Sequence, residues 1–192
     1  MKKILYLHGA FSAFKPESEK VIALQKDFNV VGFSYSMEKT FNDNITELEA
    51  FCIEEGIEAV VGVSLGGLYA SWLAELFQIP SILINPCVDP AGTISILIGE
   101  HTNFTTNKTE HFTRELANSF PKNTYLNKST LVCVGMKDDI IDPSKTLKMA
   151  REVNAQLIIN DNEDHYWEFF SENETIKQFL QSLLCLKNLN NI

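Results

Sequence analysis

The chain has 192 residues, and its contents of 45% hydrophobic and 21% charged residues are close to those of ordinary soluble globular proteins. This length predicts one domain, residues 1–192, with a sizeable core and little room for a second. The formal net charge of -9 argues against binding to negatively charged partners, because like charges repel. We therefore expect neither nucleic acid nor a membrane surface as a partner.

No apolar stretch approaches the roughly 18 residues that would span a bilayer. The first apolar run, after Lys2 and Lys3, is too short for a signal-peptide core and has no small-residue cleavage site. We therefore expect a cytoplasmic protein. The four cysteines are widely spaced and form no Cys-x-x-Cys pair, so buried thiols are expected instead of a zinc or redox site.

Six short runs rich in Val, Ile and Leu recur along the chain. They are mostly continuous in apolar character, which is typical of parallel strands covered on both faces. In chain order they predict strands at residues 3–7, 30–33, 59–63, 81–84, 131–134 and 157–159.

Amphipathic stretches lie between these runs and predict helices. Pro143-Ser144 and Asn173 are start signals for the last two. The alternation predicts an α/β fold in which a mostly parallel six-stranded sheet carries helices on both faces. The helices are expected at residues 17–26, 44–54, 68–77, 144–153 and 174–186.

One segment, residues 86–128, interrupts the alternation. It has no convincing strand, and it predicts only a weak helix around 94–98 and a second around 110–120. A long insertion between two sheet strands is usually functional, so we interpret it as a small cap over the edge of the sheet. An ordinary crossover with extra surface loop is the alternative.

The sequence Gly62-Val63-Ser64-Leu65-Gly66-Gly67 lies between a predicted strand and a predicted helix. A strand, a Gly-x-Ser-x-Gly turn and a helix in this order form the nucleophile elbow of serine hydrolases. The turn is so tight that Ser64 must adopt a strained backbone conformation. The glycines are expected because a side chain there would collide with the neighbouring strand or helix.

A serine nucleophile needs a histidine base, which in this fold follows the serine and the acid in chain order. His165 comes just after the last predicted strand, at the same edge of the sheet as Ser64. His101 and His111 lie in the predicted cap. His8 is expected to hold its own loop and not to act as the base, because His165 fits the order.

The acid is expected in the loop after the strand at 131–134. Asp138 is the preferred candidate, since it is the first carboxylate that the chain presents after the strand ends. Asp139 is the alternative. Asp142 is better placed as the N-cap of the following helix.

An oxyanion hole requires two backbone donors. Leu65, at the start of the helix after the serine, is expected to supply one, and Ala10, in the loop after the first strand, the other. Phe11 is the next candidate for this second donor and a candidate for substrate binding. Four aromatic residues could either line an acyl pocket or fill the core and cap: Phe104, Phe112, Phe120 and Trp167.

No group of residues predicts a metal site or an organic cofactor. The acidic residues Asp161, Glu163 and Asp164 lack the glycine and the ligand spacing of a calcium loop. His101, Glu110 and His111 do not share one helix face at metal-ligand spacing.

Several segments together resemble the YqiA-like small bacterial esterases of the α/β-hydrolase superfamily, and the similarity covers nearly the whole chain. It rests on Leu5-Tyr6-Leu7-His8-Gly9, Gly62–Gly67, Asn85-Pro86-Cys87-Val88-Asp89-Pro90, Ile98-Gly99-Glu100, Asp138-Asp139-Ile140-Ile141-Asp142 and His165-Tyr166. The resemblance implies a reduced α/β-hydrolase sheet without the usual leading antiparallel strands. It also implies carboxylic-ester hydrolysis with Ser64, Asp138 and His165 as the triad.

Two features depart from the family pattern. The family often has an aromatic residue directly after His-Gly, where this chain has Ala10 followed by Phe11. It also often has a glycine shortly before the histidine, where this chain has Asn162-Glu163-Asp164. Neither departure removes a catalytic atom.

The sequence therefore predicts a serine esterase that acts on a small-molecule ester or thioester, with short to medium acyl groups, and it leaves the oligomeric state open. A thioesterase or acyltransferase using the same triad is the alternative within enzymes. A hydrolase-like binding protein without turnover is the alternative outside them.

Overall fold

The computed structural model describes residues 1–167 and 173–189. Within these residues, six strands form one sheet in the order β2-β1-β3-β4-β7-β8, and every neighbouring pair is parallel. The six predicted strands are confirmed, with ends shifted by at most one residue. They are β1 (Lys3–Leu7), β2 (Asn29–Phe33), β3 (Ala59–Val63), β4 (Ser81–Ile84), β7 (Thr130–Gly135) and β8 (Gln156–Asn160).

Helices separate these strands, as the sequence predicts. The ends differ from the predicted ones by up to three residues. The helices are α1 (Glu19–Gln25), α2 (Phe41–Glu55), α3 (Leu65–Phe77), α6 (Pro143–Glu152) and α7 (Asn173–Leu189).

Local sequence explains where α2 begins and ends. The Thr40 side chain accepts a hydrogen bond from the Asp43 amide while the Asp43 carboxylate accepts from the Thr40 amide, which forms a capping box. Gly56 ends the helix in the left-handed conformation, with φ 62°.

Both faces of the sheet are buried. Along β1, Leu5 and Leu7 belong to one hydrophobic cluster, and Ile4 and Tyr6 belong to the other. The first cluster includes side chains of α2, α3 and α6, and the second includes side chains of α1 and α7. This explains why the strands are continuous apolar runs and confirms helices on both faces.

The prediction that residues 86–128 contain no strand is wrong. This segment forms a two-stranded antiparallel hairpin, β5 (Gly99–Thr102) and β6 (Thr109–Phe112). Each strand is four residues long and mostly polar, with only Phe112 buried among the eight residues, so it lacks the apolar run that reveals the sheet strands.

The helical turns of this segment differ from the predicted ones: the first begins at residue 90 instead of about 94, and the second is shorter than 110–120. The first is the single turn α4 (Pro90–Thr93), which continues as a 3₁₀ helix at Ile94–Leu97. The second, α5 (Arg114–Asn118), begins only after Thr113, whose hydroxyl accepts a hydrogen bond from the Leu116 amide as an N-cap. Residues 110–112, predicted as helix, belong to β6.

Three of the cysteines, Cys52, Cys87 and Cys133, are buried as expected. The side chain of Cys185 lies outside the described residues. In the part of the chain that the structure covers, no helix has the length and apolar character needed to cross a bilayer. In that same part, no cluster of His, Cys, Asp and Glu is arranged to hold a metal ion.

Candidate active site

Ser64 lies in a tight turn between β3 and α3. Its backbone adopts φ 54° and ψ -121°, a conformation that costs a non-glycine residue about 1–3 kcal/mol. A Cβ on Gly62 would lie 2.2 Å from the Gly66 carbonyl oxygen, and a Cβ on Gly66 would lie 2.3 Å from that of His8. Both glycines are therefore required by close backbone approach, and the strained serine predicted from the sequence is present.

The structure brings His165 to Ser64. The histidine Nε2 lies 2.9 Å from Ser64 Oγ, and its Nδ1 lies 2.8 Å from Asp138 Oδ2. Because a carboxylate only accepts hydrogen bonds, Nδ1 carries the proton of the neutral imidazole and Nε2 is left to accept from the serine hydroxyl. These three side chains thus form one chain of hydrogen bonds, with His165 only 7% exposed.

Asp138 is oriented by its own loop. Its Oδ1 accepts hydrogen bonds from the amides of Ile140, at 2.9 Å, and Ile141, at 2.8 Å, so that Oδ2 faces the imidazole. Asp138 is buried, whereas the alternative Asp139 is exposed. Asp142 is the N-cap of α6 and accepts from the Ser144 amide, as expected.

Asn85, directly after β4, holds the loop that carries His165, a role that was not predicted from the sequence. Its Nδ2 donates to the carbonyl oxygens of Asp164, at 2.7 Å, and His165, at 3.1 Å, while its Oδ1 accepts from the Gly135 amide. It is 2% exposed and has φ 43°. The sequence signals are its position after a strand, at the edge of the sheet where Ser64 lies, and its place in one of the segments that resemble the family.

The two residues expected to supply the backbone donors lie at one cavity. Ala10 and Leu65 both line the cavity that contains Ser64. Leu65 is the first residue of α3, so its N–H has no acceptor within the helix. Phe11, next to Ala10, has φ 50° and also lines this cavity.

His8 lies beneath this loop, fully packed. Its Nδ1 donates to the Gly9 carbonyl oxygen at 2.7 Å, and its ring stacks on Tyr35 at 4.2 Å between centroids. Burial lowers the pKa of His8 to about 4, so the imidazole is neutral at pH 7. The Tyr35 hydroxyl donates to the His8 carbonyl oxygen. These contacts support the structural role expected for His8.

The cavity above Ser64 has a volume of about 460 Å³ and is lined mainly by apolar groups. The segment 86–128 supplies one side of it, through Ile94, Leu97, His101 and Phe104. Ile140 and Tyr166 line the cavity next to the acid and the histidine. Cys87 also contributes to the wall, where burial raises the pKa of its thiol to about 12.

The four aromatic candidates separate into two groups. Phe104 lines the cavity and is 76% exposed. Phe112 and Trp167 are buried in the two hydrophobic clusters, and Phe120 packs against the first of them. Filling of the core therefore explains three of the four.

The remaining histidines have other surroundings. His101 stacks on Phe11 with 3.9 Å between ring centroids, and its Nε2 bonds to the Leu97 carbonyl oxygen. His111 Nδ1 lies 3.2 Å from a carboxylate oxygen of Glu100 across the hairpin.

Solved structures with the same fold are known. Est1E from Butyrivibrio proteoclasticus matches with a TM-score of 0.71 and 15% identity, over 96% of this chain and 88% of that chain. The enol-lactonase from Burkholderia xenovorans LB400 matches with a TM-score of 0.70 and 14% identity, over 94% and 91%. With the parallel six-stranded sheet, these likenesses show that the fold is that of the α/β-hydrolases.

Relatives are also found by sequence. A UPF0227 protein of Vibrio vulnificus (strain CMCP6) is 26% identical over 197 residues, which is 97% of this chain and 99% of the relative. A UPF0227 protein of Shewanella woodyi is 35% identical over 96 residues, 45% of this chain and 52% of the relative. The family model described as "Uncharacterised protein family (UPF0227)" matches residues 3–181. The chain therefore belongs to the UPF0227 family, the YqiA-like family that its motifs resemble.

Proposed function

We propose that the protein is a serine hydrolase that cleaves carboxylic esters of short to medium acyl chains through an acyl-serine intermediate. The observation that carries the proposal is the imidazole of His165, which lies within hydrogen-bond distance of both Ser64 Oγ (2.9 Å) and Asp138 Oδ2 (2.8 Å). A nucleophile, a base and an orienting acid in this arrangement activate a serine hydroxyl.

In the proposed reaction, Ser64 Oγ attacks the ester carbonyl while His165 Nε2 takes the hydroxyl proton. The tetrahedral intermediate collapses as the imidazolium returns this proton to the departing alkoxide. A water molecule then attacks the acyl-serine with His165 again as the base, which releases the acid and restores Ser64. Asp138 keeps the Nδ1 proton in place and stabilises the imidazolium throughout.

The oxyanion of each tetrahedral intermediate is held by the amides of Ala10 and Leu65. Both residues line the cavity beside Ser64, and Leu65 N–H belongs to the first turn of α3, where partial positive charge accumulates. Donors of this kind act where charge develops, and removing one typically lowers kcat by about 10²–10³-fold. The reaction needs no metal ion or organic cofactor.

The segment 86–128 is proposed as the cap that forms one wall of the acyl site. The cavity volume of about 460 Å³ lies within the range of about 300–1,000 Å³ that small-molecule sites occupy. Its apolar lining suits an acyl chain, and we expect Phe11, one of the lining residues, to contact that chain. We expect a cytoplasmic, single-domain enzyme that acts on a small molecule.

A fluorophosphonate probe tests the nucleophile. Wild-type protein should be labelled at Ser64, and S64A should be neither labelled nor active. Ser71→Ala is the matched control, because this serine lies on α3, the helix that follows Ser64, and its hydroxyl donates to the Leu68 carbonyl oxygen. Labelling of S64A at the wild-type rate would falsify the assignment.

A series of p-nitrophenyl esters from acetate to palmitate, with matched acyl thioesters, tests the substrate class. We expect kcat/KM to be highest between butyrate and decanoate and to be higher for the oxygen esters. A maximum at palmitate would refute the acyl range. Consistently faster cleavage of the thioesters, or transfer to an added alcohol in preference to water, would refute ester hydrolysis as the main reaction.

A further inference from the structure

The loop that carries the proposed second oxyanion donor is attached to the hairpin turn of the cap. We define this donor loop as residues 10–13 and the hairpin turn as residues 103–108, between β5 and β6. The Phe104 amide donates to the Phe11 carbonyl oxygen at 2.8 Å, and the Ala13 amide donates to Thr105 Oγ1 at 3.3 Å. The donor loop is thus bonded to a segment more than ninety residues away in sequence.

Asn103 is the buried centre of this attachment. Its Nδ2 donates to the Ser12 carbonyl oxygen at 3.0 Å and to Glu110 Oε1 at 2.8 Å. Its Oδ1 accepts from the amides of Thr105, at 3.0 Å, and Thr106, at 2.9 Å. An asparagine side chain has two donor hydrogens and two acceptor lone pairs, so its hydrogen-bonding capacity is complete here. It is 3% exposed.

The donor loop needs such support because of its backbone conformation. Phe11 has φ 50°, which a bulky side chain adopts only where surrounding contacts enforce it. Those contacts come from the cap: His101 stacks on the Phe11 ring, and Phe112 meets it edge-on at 6.3 Å between centroids. The cap therefore sets the position of the backbone that presents the Ala10 amide.

We infer that Asn103 is a positioning residue for the oxyanion hole, acting through its bond to the Ser12 carbonyl oxygen. This inference rests on the proposed function, since it assumes that the Ala10 amide stabilises the oxyanion. It assigns the hairpin turn a part in transition-state stabilisation in addition to its part in forming the cavity wall.

The variant N103D tests the inference with almost no change of shape. The substitution replaces Nδ2 by a carboxylate oxygen, which would lie next to the Ser12 carbonyl oxygen and the Glu110 carboxylate. Both donated hydrogen bonds are then lost, and the neighbouring oxygens repel one another. Asn107→Asp is the matched control. Asn107 is exposed on the same turn and has φ 57°, a conformation that aspartate tolerates.

The measurements are kcat and KM per active site, titrated with a fluorophosphonate, and Ki for a trifluoromethyl ketone, which forms an oxyanion on the serine. In N103D we expect kcat to fall about 10- to 100-fold, less than complete loss of a donor causes. Ki should rise by the same factor, with KM little changed. A role in folding alone would lower the titrated fraction and leave the Ki of the remaining sites unchanged.

An unchanged Ki, or equal effects of N103D and N107D, would overturn the inference. If N103D does not fold, Thr105→Val decides the question, because it removes the exposed hydroxyl that bonds the Ala13 amide and Ser12 Oγ. It should raise Ki and lower kcat by the same several-fold factor, and no effect on either refutes the inference. Activity that survives in S64A instead refutes the proposed function itself.

Discussion

Replacing Asp138 by asparagine should change the tautomer of His165 while leaving the fold of the site unchanged. Two backbone amides, of Ile140 and Ile141, donate to Asp138 Oδ1. In the D138N variant the side-chain oxygen will occupy this position, because placing the NH₂ there would leave one buried and one partly buried amide facing a donor. Each unsatisfied group would cost about 1–3 kcal/mol.

The new NH₂ then faces His165 Nδ1, which lies 2.8 Å from Oδ2 in the wild-type protein. Since two donors cannot bond to each other, Nδ1 loses its proton and Nε2 gains one. Nε2 then donates to Ser64 Oγ and no longer accepts its proton. A wrong tautomer of this kind lowers kcat by about 10⁴-fold, equivalent to about 5.4 kcal/mol of transition-state stabilisation.

The assay is kcat/KM for a p-nitrophenyl ester, with Tm measured on the same samples and with S64A as the background. Asp139→Asn is the matched control, because Asp139 is the exposed neighbour and should leave kcat/KM unchanged. A D138N protein with wild-type Tm that loses less than about tenfold in kcat/KM would show that the carboxylate does not set the tautomer. A larger loss in D139N than in D138N would transfer the role to Asp139.

Three further outcomes follow from packing and burial. Gly66→Ala puts a Cβ 2.3 Å from the His8 carbonyl oxygen and should lower the free energy of unfolding, measured by urea denaturation, by about 3 kcal/mol. A Cβ on Gly56 would have no neighbour within 4 Å, so Gly56→Ala should lower the free energy of unfolding by only about 1–2 kcal/mol, because of the positive φ. An equal loss in both variants contradicts this account. Burial lowers the pKa of His8 from the ordinary value of 6.5 to about 4. Between these two pH values the unfolded chain binds more protons than the folded protein, so the folded protein loses stability as the pH falls through this range. From pH 7 to 4 the wild type should lose about 3 kcal/mol more than His8→Gln, measured by urea unfolding, and parallel pH profiles would refute the assignment. Iodoacetamide at pH 8 should not modify Cys87 in the native protein, because its thiol pKa is about 12, but should modify it in urea. Peptide mass mapping checks this, and rapid native labelling of Cys87 contradicts it.

The sheet could be predicted from the sequence because each strand is buried on both faces. β1 and β3 show this most clearly: nearly all their residues are buried, so the apolar run and the strand coincide. Chain order then places Ser64 and His165 at one edge, since all six strands of the described sheet run parallel. The serine and histidine candidates follow from this simple geometry.

The hairpin formed by β5 and β6 and the role of Asn85 could not be predicted in this way. Of the four residues of β6, only Phe112 is buried, so the hairpin depends on contacts with Phe11, which is distant in sequence. Asn85 is one of several polar residues that follow strands. Its importance arises from its bonds to the carbonyl groups of Asp164 and His165, which are about eighty residues away in sequence.

The loop before His165 is attached to the rest of the protein largely through backbone atoms. Asn85 binds the carbonyl oxygens of Asp164 and His165, and the Lys137 amide donates to that of Glu163. Carbonyl groups are common to every residue type, so these attachments place little demand on which side chains the loop carries. Only glycine fits at position 135, because a Cβ there would lie 2.7 Å from two of the loop's carbonyl oxygens. The side chains at residues 161–164 can thus change while the imidazole stays within hydrogen-bond distance of the serine.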